Sequence, residues 1–255
     1  MHYGFWNKNT KNRHQAILNE NQFIIDIAKI KPNHLVLDAG CGVGGTAIYI
    51  AKKTKAKVIG ININQKEIKL ATKNAIKFSI KDKTEFFVQD YSKTNFPDNT
   101  FDIIYGIESI CYAYPKTKFL KEAYRILKPG GKLIILDGYI KKEPKTKEEK
   151  KIVEDFNKAF VLQELITPQK MSQYIKNSGF VKIKSISKFK EIKPTVIHFG
   201  HLGRTLWPIT KIMSLFPNQD IKALHRNNIA VMGAYYGTRL GLADYCVHFA
   251  QKPKQ

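Results

Sequence analysis

Apolar residues near the start of the chain recur at helical spacing, and short apolar runs follow them. Residues 12–30, NRHQAILNENQFIIDIAKI, predict a helix that the sequence KPN ends. Further helices are predicted at 44–53, 64–80 and 116–128, with Pro115 in the favoured first position of the last one. Strands are predicted between them at LVLDA (35–39), KVIGIN (57–62), EFFVQD (85–90), FDIIYGI (101–107) and KLIILDGY (132–139). Helix and strand therefore alternate along the first half of the chain.

This alternation favours a parallel sheet that is covered by helices on both faces. The predicted strands are nearly continuous apolar runs, as strands buried on both faces require. The sequence LKPGG (127–131) has the residues of a helix end and a turn, so we expect a turn before the fifth strand.

The pattern changes after residue 140, where the charged stretch IKKEPKTKEEKK follows. Helices are predicted at 146–161 and 168–178, and alternating residues at 181–189 predict an exposed strand. A last strand is predicted at YCVHFAQK (245–252). The roughly 55 residues between these two strands are rich in Phe, Leu, Trp, Met and Tyr and are too long for a hairpin loop. We interpret them as a helical cap.

These boundaries divide the chain into four parts. They are an N-terminal lid and helix (1–30), a cofactor-binding core (31–188), a helical substrate cap (189–243) and the last strand of the core (244–255). With 255 residues and 43% apolar content, the chain is long enough for one large domain with an insertion.

A glycine-rich loop follows the first predicted strand. Residues 36–45 read VLDAGCGVGG, and the glycines at 40, 42 and 45 fit the dinucleotide pattern GxGxxG as well as the pattern DxGxGxG. In both cases glycine permits a tight turn, and the following helix offers its positive N-terminus to a ligand. The loop alone leaves a pyrophosphate cofactor and a sulfonium cofactor open.

Three acidic or amide positions favour the sulfonium. Asn62 stands where a dinucleotide site usually has an acid for the ribose hydroxyls. Asp38, just before the first glycine, would repel a pyrophosphate but suits a cofactor with a cationic amino group. Asp90 lies at the end of the third predicted strand, where it is placed to accept from an adenine amine, with Tyr91 beside it.

Tyr112 and Lys116 form the spacing YxxxK that short-chain dehydrogenases place on one helical turn. Pro115 lies inside this spacing and disrupts any helix that spans both residues. We therefore interpret the pair as a loop tyrosine followed by a lysine at a helix start.

The net charge of +22 does not change the predicted fold or cofactor class. Only five of the 43 basic residues are arginine, and the lysines are spread along the whole chain, so we attribute the charge mainly to general composition. No nucleic-acid partner is expected, because the fourth strand ends in GIES and lacks the (D/N/S)PP(Y/F) signature of base methylation. The three cysteines form neither a disulfide framework nor a metal motif, and no signal sequence or membrane span is visible, so we expect a cytoplasmic protein.

At this point the sequence resembles the class I S-adenosylmethionine (SAM) methyltransferases. The similar segments, in order, are VLDAGCGVGG, VIGININQKEI, QDYSKTNFPDNTFDIIYGIES and KEAYRILKPGGKLIILD. Within that family the chain is most similar to the small-molecule branch with the tocopherol and sterol C-methyltransferases, on the evidence of HYGFW, GIESICYA and the long insertion. It departs from the common class I pattern at Asn62, where many of these enzymes have an acid although sterol-type members also carry asparagine, and at Tyr112, where many relatives have histidine.

The resemblance implies a Rossmann-like, doubly wound, mostly parallel seven-stranded sheet with an antiparallel last strand and a helical cap before it. It implies methyl transfer from SAM to a small, largely apolar acceptor, with carbon methylation of a prenylated aromatic, sterol or isoprenoid-like molecule as first choice. Nitrogen methylation of a small amine is second. An RNA methyltransferase and a non-catalytic SAM-binding protein remain as further alternatives.

The resemblance also implies a set of site residues. Glu108 is expected to act as a base or as an anion beside the acceptor, against the alternative of a solvated acid, and Tyr112 is expected to orient the acceptor. No metal is expected, since His198 and His201 have no partner ligand at suitable spacing. The apolar cap suggests peripheral contact with a membrane, and the oligomeric state stays open. The residues expected to bind the cofactor are Tyr3, Asp38, Gly40, Cys41, Gly42, Asn62, Ile63, Gln65, Asp90, Tyr91 and Ile107.

Overall fold

Seven strands form one sheet at the centre of the computed structural model, which describes residues 2–215 and 219–254. The strands are β1 (Leu35–Ala39), β2 (Lys57–Asn62), β3 (Thr84–Val88), β4 (Phe101–Ile107), β5 (Leu127–Ile140), β6 (Val181–Ser187) and β7 (Ala243–Gln251). Their order is β3-β2-β1-β4-β5-β7-β6, and only the pairings of β7 with β5 and with β6 are antiparallel. The predicted fold class is confirmed.

Within the described residues, one α-helix precedes β1 and seven further α-helices lie between the strands. They are α1 (Arg13–Ala28), α2 (Gly45–Thr54), α3 (Gln65–Lys77), α4 (Lys116–Ile126), α5 (Lys147–Phe160), α6 (Pro168–Asn177), α7 (Phe189–Met213) and α8 (Gln219–Arg239). Their starts follow local capping chemistry: the Asn12 side chain accepts from the amide of Gln15, and Thr146 forms a capping box with Glu149. None of the helices in these described ranges is long and apolar enough to cross a membrane.

Both faces of the sheet are buried. On one face Val36, Ile103 and Tyr105 belong to a core that includes Ile24 of α1 and Ile50 of α2. On the other face the alternate strand residues pack with helices α4 and α6; examples are Leu37, Ile104, Phe119 and Ile175. Between β1 and β4 the strand order reverses direction, and open sheets bind ligands at the carboxyl ends of the strands at such a switch point.

Two local predictions are wrong. Helix α4 begins at Lys116 with Pro115 as its cap residue, and LKPGG forms the first part of β5 instead of a turn. The chain enters the strand directly because Leu127 pairs with Phe101 of β4, and a shift in register follows before Ile103 pairs with Lys132. Strand β3 ends at Val88, so Asp90 lies beyond the strand, where it bridges to Lys93.

Helices α7 and α8 fill the segment between β6 and β7. They approach closely, since a Cβ atom at Gly200 of α7 would lie 2.3 Å from the Tyr235 ring of α8. Helix α5 packs on α8, with Gly233 of α8 facing Phe156. These three helices form a layer beside the carboxyl end of β5, and the division into four parts made from the sequence stays a proposal.

Candidate active site

A cleft of about 1140 Å³ opens at the carboxyl ends of β1, β4 and β5. Most of the residues predicted for the site lie on its wall. They are Tyr3, Gly40, Cys41, Gly42, Asn62, Ile63, Asp90, Tyr91, Ile107, Glu108 and Tyr112. Asp38 and Gln65 are not among the lining residues.

The glycine loop lies between the end of β1 and the first turn of α2. Gly40 has φ +92°, and a Cβ there would come within 2.5 Å of Ser109, so this position requires glycine. The amides of Gly40 and Cys41 both donate to the carbonyl of Ile61, which ties the loop to β2. Gly42 has φ +50°, and a Cβ there would meet nothing within 4 Å. The loop is therefore closed underneath and open toward the cleft at Gly42, as a backbone that cradles a ligand requires.

Asp38 lies underneath this loop. Its side chain is buried, and its Oδ2 atom accepts a hydrogen bond of 2.7 Å from the Tyr105 hydroxyl. Burial raises the pKa of Asp38 to about 7, because a charged carboxylate loses its hydration there. The residue supports the loop from below, and a contact with a cofactor amino group remains a prediction.

An acid missed by the sequence reasoning lies at the end of β2. Glu67, in the first turn of α3, lines the cleft, and its Oε2 atom accepts a 2.5 Å hydrogen bond from the Asn62 side chain. The helix start that carries it is capped by Asn64. The missing strand-end acid is thus replaced by an amide and a carboxylate that share one hydrogen bond. The NxNxxE spacing from Asn62 is the signal that could have revealed it.

Next to Asn62 and Glu67 the cleft wall has one apolar residue, followed by polar ones. Ile63 is 73% exposed and stands next to Asn62. Asp90 is exposed, and its Oδ1 atom accepts from the amide of Ser92. The Tyr91 hydroxyl donates to the carbonyl of Ser109, which fixes its ring against Phe119. An exposed aliphatic surface and a carboxylate edge in one wall suit a flat heterocycle with an amino group.

Glu108 follows β4 with a left-handed backbone of φ +49°, which is costly for a side chain of this size. Its Oε1 atom accepts a 3.0 Å hydrogen bond from the backbone amide of Tyr3. Burial raises the pKa of Glu108, and the neighbouring Glu20 carboxylate acts in the same direction. A strained, partly buried carboxylate at the mouth of the sheet is placed to act on an acceptor.

We call residues 2–6 the strap, because this segment crosses the cleft between α1 and α7. The amide of Phe5 donates to the carbonyl of Ala16 in α1. On the other side the Thr195 hydroxyl of α7 donates to the carbonyl of Tyr3 and accepts from the Trp6 indole. These bonds hold the Tyr3 side chain on the cleft wall, where the lid prediction requires it.

The strap also carries His2 into a cluster with two carboxylates. His2, Glu20 and Glu108 each offer one potential ligand atom within 4.8 Å of the others. The Tyr245 hydroxyl lies 3.1 Å from Glu20 and 3.3 Å from Glu108, but its single proton can serve only one of them at a time. The second oxygen of Glu20 has no hydrogen-bond partner and lies 3.4 Å from His2 Nδ1. The prediction of no metal at this site therefore needs a direct test.

A second missed acid organises the loop that carries Tyr112. Asp137, buried at the carboxyl end of β5, accepts a 2.7 Å hydrogen bond from the amide of Cys111. Burial raises the pKa of Asp137 to about 6. Lys116 donates to the carbonyls of Cys111 and Ala113, so it closes the turn. Tyr112 itself is half exposed on the cleft wall, and the YxxxK pair therefore has a structural explanation.

A smaller cavity of about 70 Å³ continues from the cleft beneath α5, α7 and α8. Four residues belong to the walls of both spaces; they are Tyr3, Gly138, Phe156 and Leu165. The rest of the wall is almost entirely apolar, with Ile192 and Val196 of α7 among its residues. An apolar extension of this kind fits the hydrocarbon part of a ligand whose reacting end lies near Glu108.

The strand order, the antiparallel β7 and the glycine loop after β1 define a Rossmann-like protein with the topology of the class I methyltransferases. Residues 37–135 match the family model described as a methyltransferase domain. The phosphoethanolamine N-methyltransferase 3 of Arabidopsis thaliana is 34% identical over 159 residues, 62% of this chain and 31% of that enzyme. The sterol 24-C-methyltransferase of Saccharomyces cerevisiae is 34% identical over 170 residues, 65% of this chain and 44% of that enzyme.

Solved structures share the whole fold at low sequence identity. The cyclase SpnF superposes with a TM-score of 0.79 at 19% identity, covering 100% of this chain and 88% of its own. The geranyl diphosphate C-methyltransferase of Streptomyces coelicolor A3(2) superposes with a TM-score of 0.76 at 17% identity, covering 99% of this chain and 91% of its own. A methyltransferase and a cyclase share this fold, so the likeness establishes the fold and leaves the chemistry to the site.

Residues 37–135 therefore match a methyltransferase domain, and the chain resembles the class I SAM-dependent methyltransferases, among them the sterol C-methyltransferases. It spans less than half the length of the two curated relatives described above.

Proposed function

We propose that this protein transfers a methyl group from SAM to a small lipophilic acceptor, most simply to a carbon atom of a sterol or isoprenoid-like molecule. The observation that carries the proposal is a wall shared by two spaces, with Tyr3 and Gly138 among the residues common to both. The cleft with the glycine loop and Glu108 lies on one side, and an apolar cavity under the helical layer lies on the other. The sterol C-methyltransferase relative supports the same acceptor class.

The described residues fit SAM in three places. The open backbone at Gly42 leaves room for the methionine part, and Asn62 with Glu67 offers an amide and a carboxylate to ribose hydroxyls. Ile63 and Asp90 provide an apolar surface and an acceptor for adenine. When bound, SAM supplies a methyl group that is activated by the positive charge on its sulfur.

The protein then has to align the acceptor, exclude water and manage charge. The strap covers the cleft and places Tyr3 at the boundary between the two spaces. In carbon methylation a positive charge develops on the acceptor, and the Glu108 carboxylate stabilises it and accepts the proton that is lost. Tyr112 orients the acceptor from the opposite wall. Gln65, which does not line the cleft, would act on the ribose only through a neighbouring residue.

Methyl transfer to the nitrogen of a small amine is the second candidate, because the plant relative is described as a phosphoethanolamine N-methyltransferase. The apolar cavity argues for a lipophilic acceptor, since a small polar amine would leave it unfilled. Peripheral membrane contact belongs to the same proposal. A cytoplasmic location does as well, and it is supported by the three cysteines, which are all unpaired.

The decisive experiment incubates the full chain with methyl-labelled SAM and separate panels of sterols, prenylated aromatics and small amines. We expect label in a carbon–methyl bond of an apolar acceptor, located by mass spectrometry and NMR. Label found only on amine nitrogen would favour the second candidate. SAM binding without transfer to any panel would contradict both.

A further inference from the structure

The outward side of helix α7 carries a stripe of large aliphatic residues. We call this surface the α7 stripe; it consists of Leu202, Leu206, Ile209 and Ile212. Every member is exposed to solvent. The spacing along the helix is four, three and three residues, so the side chains form a continuous row on one side. The buried residues Gly200, Gly203 and Thr210 mark the opposite side, which packs on α8.

Basic residues accompany the stripe. Arg204 and Lys211 lie within it along the chain, and Lys193 precedes it, all on exposed positions. Between residues 189 and 239 the sequence has seven lysines and arginines but only two acidic residues, Glu191 and Asp220. An exposed aliphatic row with a basic border has the composition of a helix that lies in the surface of an anionic bilayer.

Helix α7 also lies beside the apolar cavity, so its outer surface is close to the proposed acceptor site. Its first turns contribute Ile192 and Val196 to the apolar cavity, and Phe189 lies on the same wall. The stripe begins at Leu202, six residues or about 9 Å along the helix axis from Val196, so a bilayer on the outer side of α7 would lie near the cavity. A lipophilic acceptor would then have a short path from the membrane to the cavity without crossing water.

We propose that the α7 stripe docks the protein on an anionic lipid surface from which its acceptor is taken. The proposal rests on the lipophilic acceptor of the proposed function, but docking itself needs neither SAM nor acceptor. Its test is therefore separate from methyl transfer. A protein that floats with vesicles but methylates no apolar acceptor would contradict the function alone.

The test is flotation of the full chain with vesicles of phosphatidylcholine, alone or mixed with phosphatidylserine. We expect binding to the mixed vesicles that weakens as salt rises, and little binding to phosphatidylcholine alone. The variant Leu202→Ser/Ile209→Ser should lower the bound fraction about tenfold or more, because two aliphatic side chains no longer enter the bilayer. Arg204→Gln/Lys211→Gln should remove the preference for phosphatidylserine.

A matched control is available on α3. Leu70 and Ile76 lie among lysines, and their side chains are 46% and 55% exposed. The corresponding values for Leu202 and Ile209 are 47% and 55%. Leu70 and Ile76 are six residues apart, however, and do not belong to a row of aliphatic side chains. The variant Leu70→Ser/Ile76→Ser should therefore bind vesicles like the wild type. Circular dichroism and melting temperature confirm that each variant is folded.

Three results would overturn the proposal. The first is no flotation of the wild type with either vesicle. The second is an equal loss of binding in the α3 control. The third is a dimer or an RNA complex that the α7 variant, and not the control, abolishes while vesicle binding stays unchanged.

Discussion

Asp38 is a residue whose predicted role in ligand binding lowers the stability of the folded protein. It is buried under the glycine loop with one hydrogen bond from Tyr105, and its pKa rises from 3.8 to about 7. The charged form is therefore unfavourable until a cation approaches through the loop. The pKa is also raised for Glu108, which follows β4 and is partly buried, and for Asp137, which is buried near the end of β5. Each of the three central strands thus has such an acid at or near its carboxyl end.

We expect Asp38→Asn to stabilise the protein in the absence of ligand. The folded-state pKa lies above that of an exposed aspartic acid, so the cost of ionisation builds between pH 3.8 and about 7 and is complete above pH 7. Asn keeps an acceptor for Tyr105 without the charge. The free energy of unfolding should rise by on the order of 2 kcal/mol at pH 8, with a much smaller gain at pH 5. Urea titrations at both pH values measure this, and SAM affinity should fall. An unchanged affinity would remove Asp38 from the cofactor site.

Glu108→Gln should keep SAM binding and lose turnover. Gln retains an oxygen for the Tyr3 amide, so the strap stays in place, but it neither accepts a proton nor stabilises a cation. A fall in kcat of about 100-fold or more is expected, with an unchanged dissociation constant for SAM by calorimetry. The control Glu20→Gln removes the second buried carboxylate without changing the cleft wall and should keep most of the rate. Equal rates in wild type and Glu108→Gln would contradict the role.

Removal of divalent metal should leave the rate unchanged. The sulfonium already activates the methyl group, so the transfer needs no Lewis acid. Initial rates before and after dialysis against EDTA, together with elemental analysis of the protein, test this. If a single divalent ion restored a lost rate, the cluster of His2, Glu20 and Glu108 would be a metal site.

At the scale of elements, β5 and the strap determine how the cofactor and acceptor spaces meet. Strand β5 brings Asp137 to the cleft and Gly138 to the wall of both spaces. The strap is bonded to α1 through Phe5 and to α7 through Tyr3 and Trp6, so the covering of the cleft depends on the helical layer. Strand β5 and the strap, which together shape the site, thus come from segments that lie far apart in the sequence.

Gly138→Val should narrow this junction. A Cβ at Gly138 would meet nothing within 4 Å, and the backbone is not left-handed there, so the fold should tolerate a side chain. The added volume projects into open space between cleft and cavity. We expect kcat/KM to fall strongly for long acceptors and little for short ones, with Gly138→Ala intermediate and SAM affinity constant. A uniform effect on all acceptors would show that the cavity takes no part in binding.

For the whole molecule, the large cleft through the centre of one face makes stability depend on its ligand. The glycine loop, the Asn62–Glu67 pair and the strap surround a single cleft, and a bound cofactor would connect these separate segments. The charge of +22 is distributed over the surface and adds repulsion that a compact ligand-bound state must overcome.

SAM should therefore raise the melting temperature. At about 100 times its dissociation constant a ligand adds roughly 2.7 kcal/mol, which for a chain of this size is a shift of roughly 5 to 10 °C. NAD at the same concentration should give no shift, because Asp38 opposes a pyrophosphate. Differential scanning fluorimetry measures both, and a larger shift with NAD would reverse the cofactor assignment.

The sequence alone determined the sheet, the glycine loop and most cleft residues of this protein, because these depend on local patterns. Buried parallel strands appear as apolar runs, and a tight turn between β1 and α2 needs glycine at fixed positions. The tertiary structure decided what depends on distant partners. Glu67 reaches Asn62 because the first turn of α3 brings it back to the end of β2. Asp137 of β5 holds the loop of Tyr112 through the Cys111 amide. The strap meets Glu108 although Tyr3 and that acid are 105 positions apart in the sequence. The burial that raises the pKa of Asp38, and the junction of cleft and cavity at Gly138, likewise arise only when separate elements pack.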